Sequence, residues 1–252
     1  KALKFTRDLK EFLRKVAPAA IGGGVVQINI WVDLMVASFF TGAITFLYYA
    51  DRLSQLPLSL IGTAMGTALL PTLSRKLGAA KLDEANRINQ SGLEIVLLLT
   101  LPAAFALIIL SESIMEVLFV RGEFTLADAH ASAAAMAAFS IGLPAFALIK
   151  IFSTCFFALK DTRTPVVSAI YALILNIVLN ISFVIIFQHY GYMPHVGIAL
   201  ATAISGWVNA TYLAIKLFSK TSFKLDKLFY QKLFKIIFST ILMSAIITFL
   251  AL

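Results

Sequence analysis

The amino-acid sequence predicts an all-α integral membrane protein built as a bundle of about seven transmembrane helices, and three observations predict it. Of the 252 residues, 60% are hydrophobic and only 13% charged, whereas soluble domains carry roughly 25% charged residues. The apolar residues are gathered into continuous stretches of the length a helix needs to cross a hydrocarbon core, about 20 residues. The basic residues recur in every second connection between those stretches, as the positive-inside rule requires of a multispanning chain. Continuous runs exclude a transmembrane barrel, whose strands alternate over about ten residues.

In chain order the expected spans are 16–40, 43–70, 92–119, 130–159, 165–187, 196–218 and 233–252. The first opens on Gly22–Gly24 and carries Asp33 within INIWVDLMVASFF. The second holds Asp51 and Arg52, is interrupted by Pro57, and has Gly62 and Gly66 at the spacing that permits close helix approach. Pro102 and Pro144 lie inside the third and fourth, where a kink is tolerated if the freed carbonyls are re-satisfied. The single cysteine, Cys155, reads as a small packing residue inside the fourth span and forms no disulfide within the chain. His130, His189 and His195 lie in or beside short loops without metal-ligand spacing and read as interfacial.

The connections give the topology. The segment 1–15 is basic and amphipathic, with Lys1, Lys4, Arg7, Lys10, Arg14 and Lys15, and reads as an interfacial cytoplasmic segment with no signal-peptide pattern. Thr41–Gly42 has no basic residue; the next connection has Arg75, Lys76, Lys81 and Arg87. Segment 111–129 sets Arg121 against Glu112, Glu116, Glu123 and Asp128. Lys160 and Arg163 follow, then the uncharged QHYGYMPH (188–195), then the lysines of 216–235. The N-terminus and the connections 71–91, 160–164 and 216–235 are therefore placed in the cytoplasm, with Tyr190 and Tyr192 in an aromatic belt at the opposite interface. An odd number of spans puts the C-terminus outside, so the expectation is a piece of a longer membrane protein.

The net charge of +8 belongs to this topology signal; no basic patch is interleaved with aromatics as a nucleic-acid footprint would be. No HExxH, GxSxG, P-loop or Cys-rich spacing marks an enzyme.

Charges inside spans are costly and stand out as functional candidates. Glu94 and Lys150 lie nearer span ends and are expected to snorkel to the interface. Arg52 has apolar sequence on both sides. Its guanidinium stays charged and presents a fork of donors suited to phosphate or carboxylate oxygens, so it points to an anionic ligand in a water-filled cavity; the competing reading is an ion pair with Asp51 or Asp33. Asp51 projects about 100° from Arg52 on a helix. Asn176 and Asn180 are four apart on one helix face. With Asp33, the Thr202 hydroxyl and the Ile198 carbonyl, they supply the oxygens of a hard-cation cage such as a Na+ site, or hydrogen bonds between helices.

Four segments resemble, in order and spacing, the MurJ/MviN lipid II flippase family of the multidrug/oligosaccharidyl-lipid/polysaccharide exporter superfamily. They are VAPAAIGGGVVQIN (16–29), YYADRLSQLPLSLIGTAMGTALLPTLSR (48–75), VLFVRGEFTLADA (117–129) and ALKDTRTPV (158–166). The resemblance implies the second lobe of a two-lobe transporter fold. Residues 1–15 are then a cytoplasmic segment, 16–218 a six-helix C-terminal lobe, and 219–252 a cytoplasmic linker with one additional, truncated transmembrane helix. It implies a flippase that moves lipid II, an undecaprenyl-diphosphate-linked muropeptide, from the inner to the outer leaflet by alternating access around a cationic cavity. The partners implied are lipid II, membrane lipids and the missing N-terminal lobe, in the bacterial cytoplasmic membrane. Arg52 matches the family's cavity arginine, Asp51 its adjacent acid, and Thr45 a cavity serine of some members, giving a substrate-binding set. Asp33, Asn176, Asn180, Ile198 and Thr202 match a Na+ site of some members, with Asn180 an amide where the pattern has a carboxylate. Two other readings are a cation-coupled exporter of the same superfamily, disfavoured by the positive charge of Arg52, and a non-transporting scaffold, which has no need of an intramembrane arginine.

Overall fold

The computed structural model describes residues 23–64, 68–79, 81–221 and 223–251. The expected segment 1–15, the start of the first span through Gly22, Gly66 of the glycine pair and Leu252 lie outside the described residues. Among the described residues the chain is helical throughout, apart from turns and one isolated bridge between Arg121 and Phe124. The helices are α1 (Gly23–Ala37), α2 (Ala43–Ala64), α3 (Leu70–Gly78), α4 (Leu82–Ile109), α5 (Ser111–Phe119), α6 (Leu126–Ala158), α7 (Arg163–His189), α8 (Pro194–Lys220) and α9 (Lys227–Ala251).

Five of these, α4, α6, α7, α8 and α9, are long and apolar enough to cross a membrane. They account for the third to seventh expected spans. The first corresponds to α1, described from Gly23 as a shorter apolar helix. The second corresponds to α2, whose 22 residues include Asp51 and Arg52.

Two expected boundaries move. The stretch 92–119 is not one helix: α4 begins ten residues earlier, at Leu82, and stops at Ile109. Asp83 and Glu84 sit in its first turn, where carboxylates favour the positive end of the helix dipole. At the far end Ser111 Oγ–H donates to the Ile108 carbonyl at 3.1 Å, and the chain restarts as the short α5. The stretch 43–70 is described as α2 through Ala64 and again from residue 68, and α3, which starts at Leu70, carries Pro71 in its first turn, a position that needs no amide hydrogen.

The middle helix is α6. It packs against α2, α4, α5 and α8, and its N-terminal half is lined with buried alanines, including Ala129, Ala133 and Ala135, which let neighbouring backbones come close. Thr125 and Asp128 cap it reciprocally: the Thr125 N–H donates to Asp128 Oδ2 at 2.8 Å and the Asp128 N–H to Thr125 Oγ1 at 3.3 Å, the capping-box arrangement. The α6–α8 crossing depends on Gly142, where a Cβ would lie 2.8 Å from the Ala203 Cα and 2.8 Å from the Phe146 ring. Gly42 makes the α1–α2 turn with φ +76°, a backbone conformation that favours glycine.

The two ends of the bundle differ. At one end, Asn86 of α4 exchanges two hydrogen bonds with the Lys224 backbone, 3.2 and 3.3 Å. Gln90 donates to Asp226 at 2.7 Å, and Lys232 pairs with Glu94 at 2.8 Å. This ladder at positions 86, 90 and 94 ties α9 to α4. Lys220 donates to Asp161 at 2.8 Å and to Thr164 at 3.0 Å. Burial opposes ionisation of Asp161, but the Lys220 ammonium and the Thr164 O–H and N–H outweigh it and hold the carboxyl at about 2. The basic connections 71–91, 160–164 and 216–235 thus share one end. The opposite end is aromatic: Tyr49 packs on Phe119 and Phe124, and Phe46 on His195. His195, expected at the interface, is buried, with its Nε2–H donating to the Ala131 carbonyl at 2.9 Å.

Candidate functional site

The structure brings the two predicted residue sets to different places. Asp33, Asn176, Asn180 and Thr202 converge from α1, α7 and α8. Asn180 Nδ2–H donates to Asp33 Oδ1 at 2.6 Å and to Asn176 Oδ1 at 3.0 Å. Thr202 Oγ1–H donates to Asp33 Oδ2 at 3.0 Å, and Asn176 Nδ2–H donates to Thr202 Oγ1 at 3.0 Å. Both asparagines are fully buried. The cause is the ridge of α7 that turns inward: its buried residues are Thr164, Ser168, Asn176, Asn180 and Val184, which lie four or eight apart and are polar except for Val184. The face of α7 that remains exposed is apolar, with Ile174, Val178, Ile181 and Ile185. Lower on the same seam Ser168 hydrogen-bonds Asn209 of α8.

These side chains fit a hard cation by donor chemistry: a carboxylate, two amide oxygens and a hydroxyl, with Asn180 Oδ1 buried and without a hydrogen-bond partner. No group of three or more His, Cys, Asp or Glu side chains that could hold a metal exists among the described residues, so a softer metal has no ligand set here. Ile198 is fully buried four residues before Thr202. Within the unbroken α8 its carbonyl already belongs to the helical ladder and has one lone pair left to offer.

The second set lies on α2. Thr45, Tyr48, Arg52, Gln55 and Ser59 are all exposed, and their 3-4-3-4 spacing places them on one face. Asp51 lies at its edge and accepts from Gln55 Nε2–H at 2.5 Å. The opposite face of α2 buries Ala43, Leu47, Ala50 and Ser54 against the bundle. A polar face turned away from its own bundle faces water or protein, since lipid satisfies no such groups. The Arg52 guanidinium lies over the Tyr48 ring, 4.9 Å from its centroid, a cation–π contact. No carboxylate is within ion-pair distance of it among the described residues. The expected alternative, a pair with Asp51 or Asp33, is not formed: those carboxylates are held by Gln55 and by Asn180 and Thr202. Tyr48, Gln55 and Ser59 were missed as members of this face; the signal was the polar heptad-like spacing itself.

Glu94 is near the basic end and ion-paired with Lys232, as snorkelling predicts. Lys150 is not: its Nζ donates to the Leu58 carbonyl of α2 at 3.3 Å. Cys155 is buried and its thiol donates to Asn89 Oδ1 at 3.0 Å. A separate cavity lined by Leu73, Asn89, Cys155, Thr221 and Phe223 lies at the basic end, away from Asp33 and Arg52.

A bundle of apolar helices that buries one polar network between helices, and turns outward a second polar face whose arginine meets no carboxylate among the described residues, is a membrane transporter fold. Within that class the particular relationship is plain. Residues 2–251 match the family described as "Lipid II flippase MurJ", and the chain belongs to that family. The "Probable lipid II flippase MurJ" of Rickettsia prowazekii (strain Madrid E) is 40% identical over 202 residues, covering 80% of this chain and 39% of the relative. That of Rhizobium tropici is 42% identical over 217 residues, covering 86% and 40%. The solved structure titled "Lipid II flippase MurJ, inward closed conformation" superposes with a TM-score of 0.80 at 29% identity, covering 100% of this chain and 51% of the other. The chain therefore spans about two fifths of the length of these curated relatives and about half of that solved chain.

Proposed function

We propose that this chain is the second lobe, with one additional helix, of a flippase that carries lipid II from the inner to the outer leaflet by alternating access. The observation that carries the reading is Arg52: an intramembrane guanidinium on an exposed polar face, without a carboxylate partner among the described residues. Such a charge is tolerated where water and an anion meet it, and its donor fork matches a diphosphate. Thr45 and Asp51 flank it and complete the substrate-facing set. The six-helix lobe is residues 16–218, followed by a linker and α9 within 219–252. A first lobe faces the α2 surface and supplies the rest of the cavity. The basic end of the bundle lies in the cytoplasm of a bacterial inner membrane. Asp33, Asn176, Asn180, Thr202 and the Ile198 carbonyl hold Na+ when it binds. The cation then supplies charge neutralisation for Asp33, and the side chains set which helices are joined. The positively charged cavity favours an anionic cargo over the cationic drugs of the related exporters.

The test is Arg52→Ala and Arg52→Lys in the complete protein, in cells depleted of their own flippase, with lipid II in the outer leaflet as the readout. Loss of exposure in Arg52→Ala at normal protein level, with poor rescue by Lys, is expected. Normal transfer by both variants overturns the assignment.

A further inference from the structure

The buried polar line of α7 does not stop at the Asp33 network. It continues toward the basic end through Ser168 and Thr164, and α8 supplies the facing line. Thr202 meets Asn176 and Asn209 meets Ser168, so the antiparallel register sets Ser205 level with Ala172, midway between Ser168 and Asn176. Ser205 shares one i, i+4 ridge of α8 with Gly197 and Asn209, and both of those touch α7. It is 4% exposed, and its hydroxyl has no hydrogen-bond partner among the described residues; Ala172 offers it only a methyl. Asn180 Oδ1, in the network itself, is buried in the same state. Unmatched buried oxygens are the groups that water or a cation satisfies. Counted along α8, Thr202, Ser205 and Asn209 keep oxygen-bearing side chains on the seam for about 10 Å from the network toward the basic end.

The seam is shut in the other direction. Past Asn180 the α7 line turns apolar at Val184, and α8 continues with the fully buried Ile198. At Gly197 the two helices come into contact: a Cβ there would stand 3.0 Å from the Phe183 Cβ and 3.2 Å from its backbone carbonyl, which leaves no room for an ion. At the basic end the closure is a single side chain. Lys220 Nζ–H donates to Asp161 Oδ2 at 2.8 Å and to Thr164 Oγ1 at 3.0 Å, and Thr164 is the first buried residue of the α7 line. Withdrawing a half-exposed lysine opens that mouth without repacking a helix, whereas its seated charge bars a cation from it.

We infer that the α7–α8 seam is the route by which the Asp33 network exchanges its cation with the cytoplasm, with Ser205 as the oxygen midway along it. The inference rests on reading that network as a Na+ site. A membrane potential that is negative inside favours a cation moving toward this end.

The test uses the complete, purified protein and two readouts: equilibrium affinity for Na+, and the exchange rate of bound Na+ from sodium NMR relaxation. Ser205→Val adds a methyl at the Ala172 level and removes the hydroxyl; Asp33→Asn is the control for the site. Ser205→Val is expected to slow exchange by about tenfold or more, the rate effect of one overpacked group in the path, with affinity near the parent's. Exchange at the parent rate in Ser205→Val, with Na+ binding still dependent on Asp33, overturns the route and leaves the site standing. A parent that binds no Na+, or Asp33→Asn binding as the parent does, removes the cation reading and the route with it. Should Ser205→Val not accumulate, Ser205→Cys is placed in sealed vesicles, with the other cysteines replaced, and Ag+ is added to one face at a time. Ag+ is a thiol-seeking monovalent cation, and the thiol left is counted after denaturation. Faster loss from the cytoplasmic face supports the route; equal loss from both faces, faster loss from the opposite face, or no loss overturns it.

Discussion

Replacing Asn180 by aspartate tests what the buried network is for. Asn180 Nδ2 lies 2.6 Å from Asp33 Oδ1, so Asn180→Asp sets two carboxylates in contact inside the bundle. At about 3 Å and an effective dielectric near 20, their repulsion is on the order of 5 kcal/mol. A destabilisation of that size lowers the melting temperature by roughly 10–20 °C in a protein of this length. A bound cation removes the repulsion: Na+ at about a hundred times its Kd restores roughly 2.7 kcal/mol, close to half. The assay is thermal unfolding of the purified protein in NaCl against choline chloride at matched ionic strength. Asn180→Asp is expected to melt well below the parent in choline and to recover by roughly 5–10 °C in Na+. The parent, with one carboxylate, is expected to show a much smaller Na+ response. A variant as stable as the parent in choline, or one blind to Na+, refutes the account of these oxygens as a cation site.

Two further outcomes follow from the packing. Gly142→Leu places side-chain atoms where the Ala203 Cα and the Phe146 ring already stand, and overpacking of this kind costs about 1–3 kcal/mol; a detergent melt unchanged from the parent would refute the α6–α8 contact. Asp161 carries the α6–α7 turn: its Oδ1 accepts from the Thr164 N–H at 3.0 Å. Because its carboxyl is held at about 2, below the ordinary carboxylate value, its contribution is present above roughly pH 4 and is lost as pH falls through about 2. Amide exchange at Thr164, corrected for intrinsic rate, is therefore expected to be equally protected at pH 7 and pH 5 and to quicken in Asp161→Asn.

Much of the architecture is legible in the residues alone, because hydropathy and loop charge are sums over local sequence. Among the described residues the apolar stretches become helices and the basic connections gather at one end. That Asn176 and Asn180 share one face was readable from their i, i+4 spacing on α7. What local sums do not contain is rotation and reach. The break at Leu110 depends on Ser111 reaching back to Ile108 and on α5 finding α6. The burial of His195 depends on the Ala131 carbonyl lying across the bundle. Lys150 was expected at the membrane surface and instead reaches α2, because an extended side chain follows whichever unsatisfied acceptor the packing brings near.

From composition, periodicity and charge, the sequence by itself determined an α-helical membrane protein, its basic end, and which polar residues are out of place among apolar ones. Only the tertiary structure decided which of them meet: Asp33 and Asn180 are 147 positions apart, and their contact is a property of how α1 and α7 are turned. It also decided that Arg52 is left without a carboxylate among the described residues. A pairing between distant helices is set by the packing of every helix between them, and no stretch of the chain encodes it alone.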